Sequence, residues 1–210
     1  MPSKDYELFV FDREASQPAT GPLAGVDEAG RGPVAGPVVA AAVIFRERIS
    51  LLGLDDSKKL SAKTREILFR RIIAHAWVGI GRVSETVIDQ VNIYQATRLA
   101  MREAVLALPR TPRFVLVDGK MQIDLPLSQK GVVAGDAKSA VIAAASIVAK
   151  VTRDAWMKDL DQRYPNYGFA THKGYLTRLH QEALQRHGAC EVHRKSFMPV
   201  AELLQEVQSR

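Results

Sequence analysis

The sequence contains a single cysteine, Cys190, so it cannot form an internal disulfide bond. A lone thiol is typical of proteins from a reducing compartment. No uninterrupted apolar run approaches the roughly 20 residues that a membrane-spanning helix needs. Residues 1–14 carry acids and lack the apolar core of a signal peptide. We therefore expect a cytoplasmic protein with no membrane partner.

Acidic side chains are outnumbered by basic ones, 23 against 29, which gives a net charge of +6. This balance suits a polyanionic partner. The 210 residues, 47% of them hydrophobic, show no internal repeat and no linker. We expect one domain over residues 1–210, with a lead-in segment (1–22) and a helical C-terminal part (165–210) that contributes to substrate binding. A monomer without an obligate protein partner is the default expectation.

Periodicity predicts strands and helices that interleave along the chain. Strands are predicted at 23–28, 38–45, 77–83, 114–117 and 132–134, and helices at 61–74, 84–88, from 92 to Pro109, 138–164, 172–187 and 199–210. Ser61 and Asn92 are predicted N-caps. The alanine-rich first half of the long helix at 138–164 should lie close against a sheet. This order predicts a three-layer α/β domain with a mixed sheet.

The stretch LAGVDEAGRGPVAGP (residues 23–37) carries the first functional signal. Asp27 and Glu28 end an apolar run beside a glycine loop, where carboxylate oxygens suit a hard cation. Gly30 and Gly32 allow a bulky group to approach the backbone, and Arg31 suits a phosphate or a base. A solvated hairpin turn is the alternative. Consecutive strand residues point to opposite faces, so a bulge or the strand end must intervene before both acids reach one ion.

Asp118 and Asp136 repeat this arrangement, since each follows a short apolar strand and touches glycine. If the first, fourth and fifth strands are parallel and adjacent, the four carboxylates meet at one edge of the sheet. Such crowded carboxylates need cations to stay ionised. Mg²⁺ or Mn²⁺ suits an all-oxygen site, and two ions about 4 Å apart can clamp an in-line phosphoryl displacement. The basic surroundings then point to a phosphodiester polymer as the substrate.

Each of these residues also has a structural explanation. Asp118-Gly119 is a common hairpin-turn pair, and Asp136 is a possible N-cap for the long helix. Lys58 and Lys59 can meet phosphates or simply be solvated. The aromatic residues of the C-terminal part suit nucleotide stacking or a half-buried core; they are Tyr164, Tyr167, Phe169 and Tyr175. We expect the C-terminal histidines at the surface and Cys190 in packing; the histidines are His172, His180, His187 and His193.

Seven ordered motifs between about residues 23 and 200 resemble bacterial ribonuclease HII, the type 2 ribonuclease H. They are GVDEAGRGPVAGPVVAAAV, DSKKL, NIYQAT, VLVDG, GDAKSAVIAAASIVAK, YPNYGFATHKGY and HRKSF. Several motifs in order at compatible spacing are far more specific than any one of them. Residues 1–22 lie outside the resemblance.

The resemblance implies a ribonuclease H-like fold with a five-stranded mixed sheet and helices on both faces. It implies an endonuclease that cuts the RNA strand of RNA–DNA hybrids and cuts 5′ of ribonucleotides embedded in duplex DNA, leaving a 3′-hydroxyl and a 5′-phosphate. It assigns catalysis to Asp27, Glu28, Asp118 and Asp136, with metal at the first three. It assigns ribose 2′-hydroxyl recognition to Gly30, Arg31 and Gly32, junction sensing to Tyr175 and a phosphate contact to Lys58.

Two other function classes share part of this pattern. A nucleic-acid-binding module without catalysis would have the charge and the aromatic residues but no need of four acids beside the substrate. A small-molecule phosphohydrolase would have the acids but no need of the basic stretch at 172–187.

Overall fold

The computed structural model describes residues 4–17, 21–47 and 60–208. Lys58 and its predicted phosphate contact lie outside these ranges. Within them, no helix combines the length and apolarity needed to cross a bilayer. In chain order the elements are α1 (Lys4–Ala15), β1 (Leu23–Ala29), β2 (Val38–Phe45), α2 (Ala62–His75), β3 (Ala76–Val83), α3 (Glu85–Leu106), β4 (Phe114–Asp118), β5 (Ser128–Val132), a 3₁₀ turn (Gly135–Ala137), α4 (Ala140–Arg163), α5 (Phe169–His172), α6 (Arg178–His187) and α7 (Val200–Gln208).

The five strands form one mixed sheet in the order β3-β2-β1-β4-β5. β1 is parallel to β4, and β4 is parallel to β5. β2 runs antiparallel to both of its neighbours. The predicted five-stranded mixed sheet is therefore confirmed, as is the adjacency of the first, fourth and fifth strands. The carboxyl ends of β1, β4 and β5 consequently lie along one edge of the sheet.

Helices cover both faces of the sheet, which confirms the predicted three layers. α3 packs on β2 and β3 on one face, while α1, α2 and α4 lie on the other. Glycines permit the closest approaches. A Cβ atom on Gly25 would overlap the backbone of Val141 and Ile142 in α4, and one on Gly79 or Gly81 would overlap the backbone of α3. The long helix therefore sits directly on β1, the strand that carries Asp27 and Glu28.

The predicted N-caps at Ser61 and Asn92 are confirmed. The Ser61 hydroxyl accepts a hydrogen bond from the Thr64 amide at 3.1 Å. Asn92 interrupts α3 with a φ of 68°, and its side-chain oxygen accepts from the amides of Tyr94 and Gln95. The two helices predicted around this position are thus two arms of one kinked helix, joined at the cap.

Two predicted elements have other boundaries in the structure. The fifth strand is Ser128–Val132, because it pairs with β4 through polar residues that carry no apolar run. The helix predicted at 172–187 begins only at Arg178, as α6, and His172 is instead the last residue of the short helix α5. Lys173 and Gly174 between them have left-handed backbone, with φ of 54° and 82°, which ends a helix.

The segment predicted as a lead-in contains α1, which packs against α4. Asp12 of α1 is buried at the N-terminus of α4. It accepts hydrogen bonds from the Ser139 hydroxyl at 2.5 Å and the Val141 amide at 3.1 Å. A carboxylate at a helix N-terminus accepts hydrogen bonds from amides that have no partner within the helix, and its negative charge interacts favourably with the helix dipole. Burial nevertheless raises the pKa of Asp12 to about 6.

We expect Asp12→Asn to change how stability depends on pH. Because its folded pKa is raised, Asp12 contributes stability that is complete below its unfolded pKa of about 3.8 and is lost as the pH rises through about 6. The unfolding free energy of the wild type minus that of the variant should therefore fall by up to about 3 kcal/mol between pH 4 and 7. Chemical denaturation at each pH measures this difference.

Glu14→Gln on the exposed side of the same helix is the matched control, since that side chain is in solvent in the folded state. A difference curve for Asp12→Asn that matches the Glu14→Gln curve would contradict the buried position of Asp12.

Candidate active site

Three of the predicted acids meet at one cavity. It has a volume of about 220 Å³ and lies where β1 and β4 end. Asp27, Glu28 and Asp118 line one side, and the turn at 30–32 lines another. The remaining lining residues come from α4 and from the loop before α6; they are Ser146, Lys150, Arg153 and Tyr175. The sequence-predicted convergence of the first and fourth strand tips is therefore present.

Asp27 and Glu28 reach this cavity from opposite faces of the strand. Asp27 pairs with Ala41, whose side chain belongs to the α4 side of the core, and Glu28 pairs with Ala40, on the α3 side. The strand ends one residue later, at Ala29. The open strand end, rather than a bulge, is thus what lets both carboxylates border one space. Both acids are largely buried, so the solvated hairpin turn was the wrong alternative.

The electrostatics of this cavity are unfavourable for the protein alone. Burial raises the pKa of Asp27 well above its ordinary value, and the carboxylates of Glu28 and Asp118 raise it further. Burial also raises the pKa of Glu28, although the Arg31 guanidinium, 3.2 Å from Glu28 Oε1, lowers it. The second carboxylate oxygen, Glu28 Oε2, is buried without a hydrogen-bond partner among the described residues.

These observations fit a divalent cation. A bound cation would reduce the repulsion between the three crowded carboxylates and give the unpartnered buried oxygen a ligand. The donor set is entirely oxygen, which suits Mg²⁺ or Mn²⁺. In the ranges that the structure describes, no three His, Cys, Asp or Glu side chains are spaced as a ready metal site, so the carboxylates would have to draw together around an ion. Asp27, Glu28 and Asp118 are the residues that would hold the ion.

Asp118 and Asp136 are linked through one turn. The Gly135 amide donates to Asp118 Oδ1 at 2.7 Å, and Asp136 follows it, buried, in the 3₁₀ turn. Asp136 does not line the 220 Å³ cavity. The hairpin alternative for Asp118 was wrong, since β4 and β5 are parallel. The N-cap alternative for Asp136 was also wrong, because Ser139 caps α4.

Two buried arginines hold the glycine loop that follows β1. Arg194 donates to the carbonyl oxygens of Gly30, Arg31 and Gly36, at 2.5 to 3.0 Å. Arg153 donates from α4 to the carbonyls of Ala35 and Pro37 and to a carbonyl of the α5–α6 loop. Their side chains are 0% and 1% exposed. Burial lowers the pKa of Arg194 to about 9 and that of Arg153 to about 10.

These hydrogen bonds fix the direction of the backbone amides in the turn at 30–32. In a planar trans peptide the C=O of one residue and the N–H of the next point in opposite directions. Because the carbonyls of Gly30 and Arg31 point to Arg194, the amides of Arg31 and Gly32 point away from it. Gly30 itself has a φ of 99°, and a Cβ there would overlap the Arg153 side chain. Only glycine fits at this position.

The C-terminal part contributes one exposed aromatic ring to the cavity. Tyr175 is 49% exposed, and a Cβ atom on Gly32 would lie 3.5 Å from its ring. Tyr167 and Phe169 instead stack on each other in the core, with ring centroids 5.4 Å apart. The core alternative therefore applies to Tyr167 and Phe169, and stacking on a nucleotide stays a prediction for Tyr175.

The expectation of surface histidines was wrong for three of the four. The side chains of His172, His180 and His193 are buried, at 7%, 0% and 1% exposure. They hydrogen-bond to backbone groups and to one another, which allows neutral imidazoles to be buried.

The sequence reasoning did not single out Arg153 and Arg194. A signal for Arg153 was present, because it follows Ser146 and Ala149 at helical spacing on the buried side of α4. A charged residue on a buried stripe needs partners, and here the partners are backbone carbonyls. Arg194 lies in the HRKSF motif, which gave no sign of burial by itself.

A larger cavity lies elsewhere. It has a volume of about 620 Å³ and is lined by α1, the start of β1 and the ends of β2 and β3 that are far from the carboxylates. The smaller cavity remains the candidate site, since three of the four predicted acids line it.

Comparison with known proteins identifies the family. The sequence profile described as Ribonuclease HII matches residues 24–200. The chain belongs to the ribonuclease HII family. A protein named Ribonuclease HII from Geobacillus kaustophilus (strain HTA426) is 55% identical over 199 residues, which cover 94% of this chain and 76% of that protein. The protein is accordingly a hydrolase of the type 2 ribonuclease H class.

Solved structures agree with this family and with the ribonuclease H-like fold. The ribonuclease H2 from Pyrococcus horikoshii OT3 matches with a TM-score of 0.76 and 26% identity, over 90% of this chain and 100% of that one. The ribonuclease HII of Archaeoglobus fulgidus, solved in complex with PCNA, matches with a TM-score of 0.72 and 28% identity, over 84% and 95%. The helix α1 precedes the range of the ribonuclease HII match.

We expect Asp27→Asn to stabilise the cation-free protein at neutral pH. Because the folded pKa of Asp27 is raised, its ionisation lowers the free energy of unfolding as the pH rises through that pKa. The amide of Asn does not ionise and so avoids this loss. The melting temperature in EDTA should rise by about 2–4 °C for each kcal/mol recovered. Scanning calorimetry with and without Mg²⁺ measures both this gain and the loss of cation-induced stabilisation.

Asp124→Asn, an exposed acid outside the cavity, is the control. A variant at Asp27 that melts below the wild type in EDTA, or that keeps the full stabilisation by Mg²⁺, would contradict the electrostatic description of the cavity.

Proposed function

We propose that this protein is an endonuclease that hydrolyses the RNA strand of RNA–DNA hybrids and cuts 5′ of ribonucleotides embedded in duplex DNA. One observation carries the proposal. Asp27, Glu28 and Asp118 line a cavity whose other walls are the 30–32 turn and the exposed ring of Tyr175. Acids for a cation, backbone donors for a sugar and a ring for stacking are thus within one small space.

Two divalent ions, Mg²⁺ or Mn²⁺, would neutralise the phosphate charge and favour in-line displacement. Asp27, Glu28 and Asp118 would hold them, with Asp136 as the fourth acid of the set. In the reaction, water adds to phosphorus and the P–O3′ bond breaks. The upstream strand keeps a 3′-hydroxyl and the ribonucleotide keeps a 5′-phosphate. The proton from water goes to the departing oxygen.

The turn at 30–32 is the proposed reader of the ribose. The 2′-hydroxyl is the atom that distinguishes RNA from DNA. The carbonyls of Gly30 and Arg31 point to Arg194, so the amides of Arg31 and Gly32 point in the opposite direction. These two amides can therefore donate to a hydroxyl oxygen. The absence of side chains at Gly30 and Gly32 lets the sugar approach this backbone.

The substrate path extends beyond the carboxylates on the α3 side. A second hollow of about 250 Å³ shares Glu28, Arg31 and Asp118 with the first and has Tyr94 and Lys120 on its wall. Tyr94 is 46% exposed. An aromatic ring and a cation on each side of the acids suit a strand that crosses them. Lys58, outside the described residues, is proposed to contact a backbone phosphate.

The test is a duplex DNA that contains one ribonucleotide, incubated with and without Mg²⁺ or Mn²⁺. We expect one cut on the 5′ side of the ribonucleotide, with 3′-hydroxyl and 5′-phosphate ends, and no cut in EDTA. Asp118→Asn should lower the cleavage rate by at least about 10³-fold, since it removes a proposed cation ligand, while hybrid affinity stays within about threefold. Gel mapping of end-labelled strands and fluorescence anisotropy measure the two quantities.

Each alternative function has its own outcome in this assay. Unimpaired cleavage by Asp118→Asn would contradict the role of that residue, and hybrid binding with no cleavage at all would indicate a binding module. A phosphohydrolase for small molecules would bind the duplex weakly. For a polymer substrate, affinity should fall steeply with added salt, because each neutralised phosphate releases counterions.

A further inference from the structure

Three buried imidazoles lie beside the candidate site without taking part in the proposed chemistry. His172 and His180 stack with ring centroids 4.3 Å apart, and His193 lies against His180, with their Nε2 atoms 3.0 Å apart. Burial lowers the pKa of His180 and of His193 to about 4. Neutral histidines have one donor and one acceptor nitrogen each, so their hydrogen-bond partners determine the tautomers.

The hydrogen-bond partner of His180, at one end of this row of hydrogen bonds, determines which of its nitrogens is protonated. His180 Nδ1 is 3.0 Å from the carbonyl oxygen of Tyr175. A carbonyl oxygen only accepts, so Nδ1 must carry the proton and donate. The other nitrogen of His180, Nε2, is then an acceptor. His193 Nε2, which faces it, must therefore be protonated.

The partners at the other end require the same assignment. His193 Nδ1 is 3.0 Å from the Cys190 amide nitrogen and 3.3 Å from the Cys190 carbonyl oxygen. In the shorter contact the amide donates, so that nitrogen carries no proton. The thiol of Cys190 is 3.1 Å from the same atom and can also donate to it. A neutral His193 then has its proton on Nε2, which donates to His180. The two ends agree on one direction of donation: Cys190 to His193 to His180 to the carbonyl of Tyr175.

His172 fixes the same loop from the other side. Its Nε2 donates to the Tyr167 carbonyl at 2.7 Å, which leaves Nδ1 to accept from the Gly174 amide at 3.2 Å. The backbone carbonyl of His172 also accepts from the Tyr175 amide at 2.9 Å. Both peptide groups of Tyr175 are thus held by histidines.

The loop needs this support because its backbone is strained. Lys173 has a φ of 54°, which is unfavourable for a residue with a side chain. Gly174 follows in the same region, and a Cβ there would overlap the carbonyl oxygen of Ala35. The Tyr175 ring, in contrast, is 49% exposed and has the cavity before it. The backbone is fixed so that the exposed ring has a defined position.

We propose that His172, His180 and His193 are positioning residues that set the Tyr175 ring against the substrate through its backbone. The inference rests on the proposed function, since it takes Tyr175 as a substrate contact. The histidines themselves touch neither the substrate nor the acids. Their role is to hold the tyrosine in one place before the duplex arrives, so that binding does not have to order it.

A variant series at His180 tests this role by its kinetics. The Tyr175 carbonyl accepts from the Thr177 amide at 2.9 Å and from His180 at 3.0 Å. His180→Leu removes the side-chain donor of this pair and should raise KM for the duplex with one ribonucleotide by about tenfold, with kcat changed much less. The amide nitrogen of Asn stands near the position of Nδ1 and can donate to the same carbonyl. His180→Asn should therefore stay within about threefold of the wild type.

A double-mutant cycle separates positioning from general damage to the fold. In a Tyr175→Ala background, His180→Leu should raise KM no further, because the ring that it positions is gone. An equal, additive effect in both backgrounds would overturn the proposal. If Tyr175→Ala alone leaves KM unchanged, the substrate contact assigned to Tyr175 is wrong and the proposal falls with it, which is a different result from additivity.

The tautomers can be observed independently of activity. In ¹⁵N NMR spectra of the histidine-labelled protein, His180 should be protonated at Nδ1, and His172 and His193 at Nε2. This reading holds even if His180→Leu does not fold. The opposite tautomer at His180 would overturn the proposal, since that imidazole could not donate to Tyr175.

Discussion

The site depends on the hydrogen bonds between two buried guanidinium groups and the carbonyl oxygens of the loop at 30–37. A buried charge is costly unless its donors are satisfied, and here carbonyls of the 30–37 loop and of Lys173 satisfy them. Arg153 links α4 to the loop, and Arg194 links the C-terminal part to it. The two arginines therefore join the sheet, the long helix and the C-terminal helices at the point where β1 ends. They also turn the loop so that its amides are left for a ligand.

Next to this satisfied positive charge lies negative charge that the protein does not satisfy. The carboxylates of Glu28 and Asp118 raise the pKa of the buried Asp27, burial raises the pKa of Glu28, and Glu28 Oε2 is buried without a hydrogen-bond partner among the described residues. Arg153 and Arg194 are occupied with carbonyls and do not neutralise these acids. In the part of the chain that the structure describes, Arg31 at the exposed rim is the cation that pairs with Glu28. This separation keeps the loop rigid while the carboxylates stay available for cations and, through them, for a phosphate.

The sequence predicted the strand tips because their signal is local. Each acid follows a short apolar run and touches glycine, so the convergence of Asp27, Glu28 and Asp118 needed only the correct strand order. Burial of Arg153 could not be predicted in the same way, since two of its three carbonyl partners, Ala35 and Pro37, are more than 100 positions away. The histidines at 172, 180 and 193 follow no period, and their burial comes from the turn after α5. The polar strand β5 was misplaced because pairing, not hydrophobicity, defines it.

The central claim is that Arg194 orients the turn that is proposed to distinguish ribose from deoxyribose. The most direct measurement compares the affinities for a duplex with one ribonucleotide and for the same duplex in DNA only, in wild type and Arg194→Lys, with Ca²⁺ in place of a cleavage-supporting ion. A lysine lacks the planar fork that grips several carbonyls at once. We predict that the ribonucleotide preference falls by about tenfold, while stabilisation by Mg²⁺ in calorimetry is retained. An unchanged preference in a folded Arg194→Lys protein would contradict the claim.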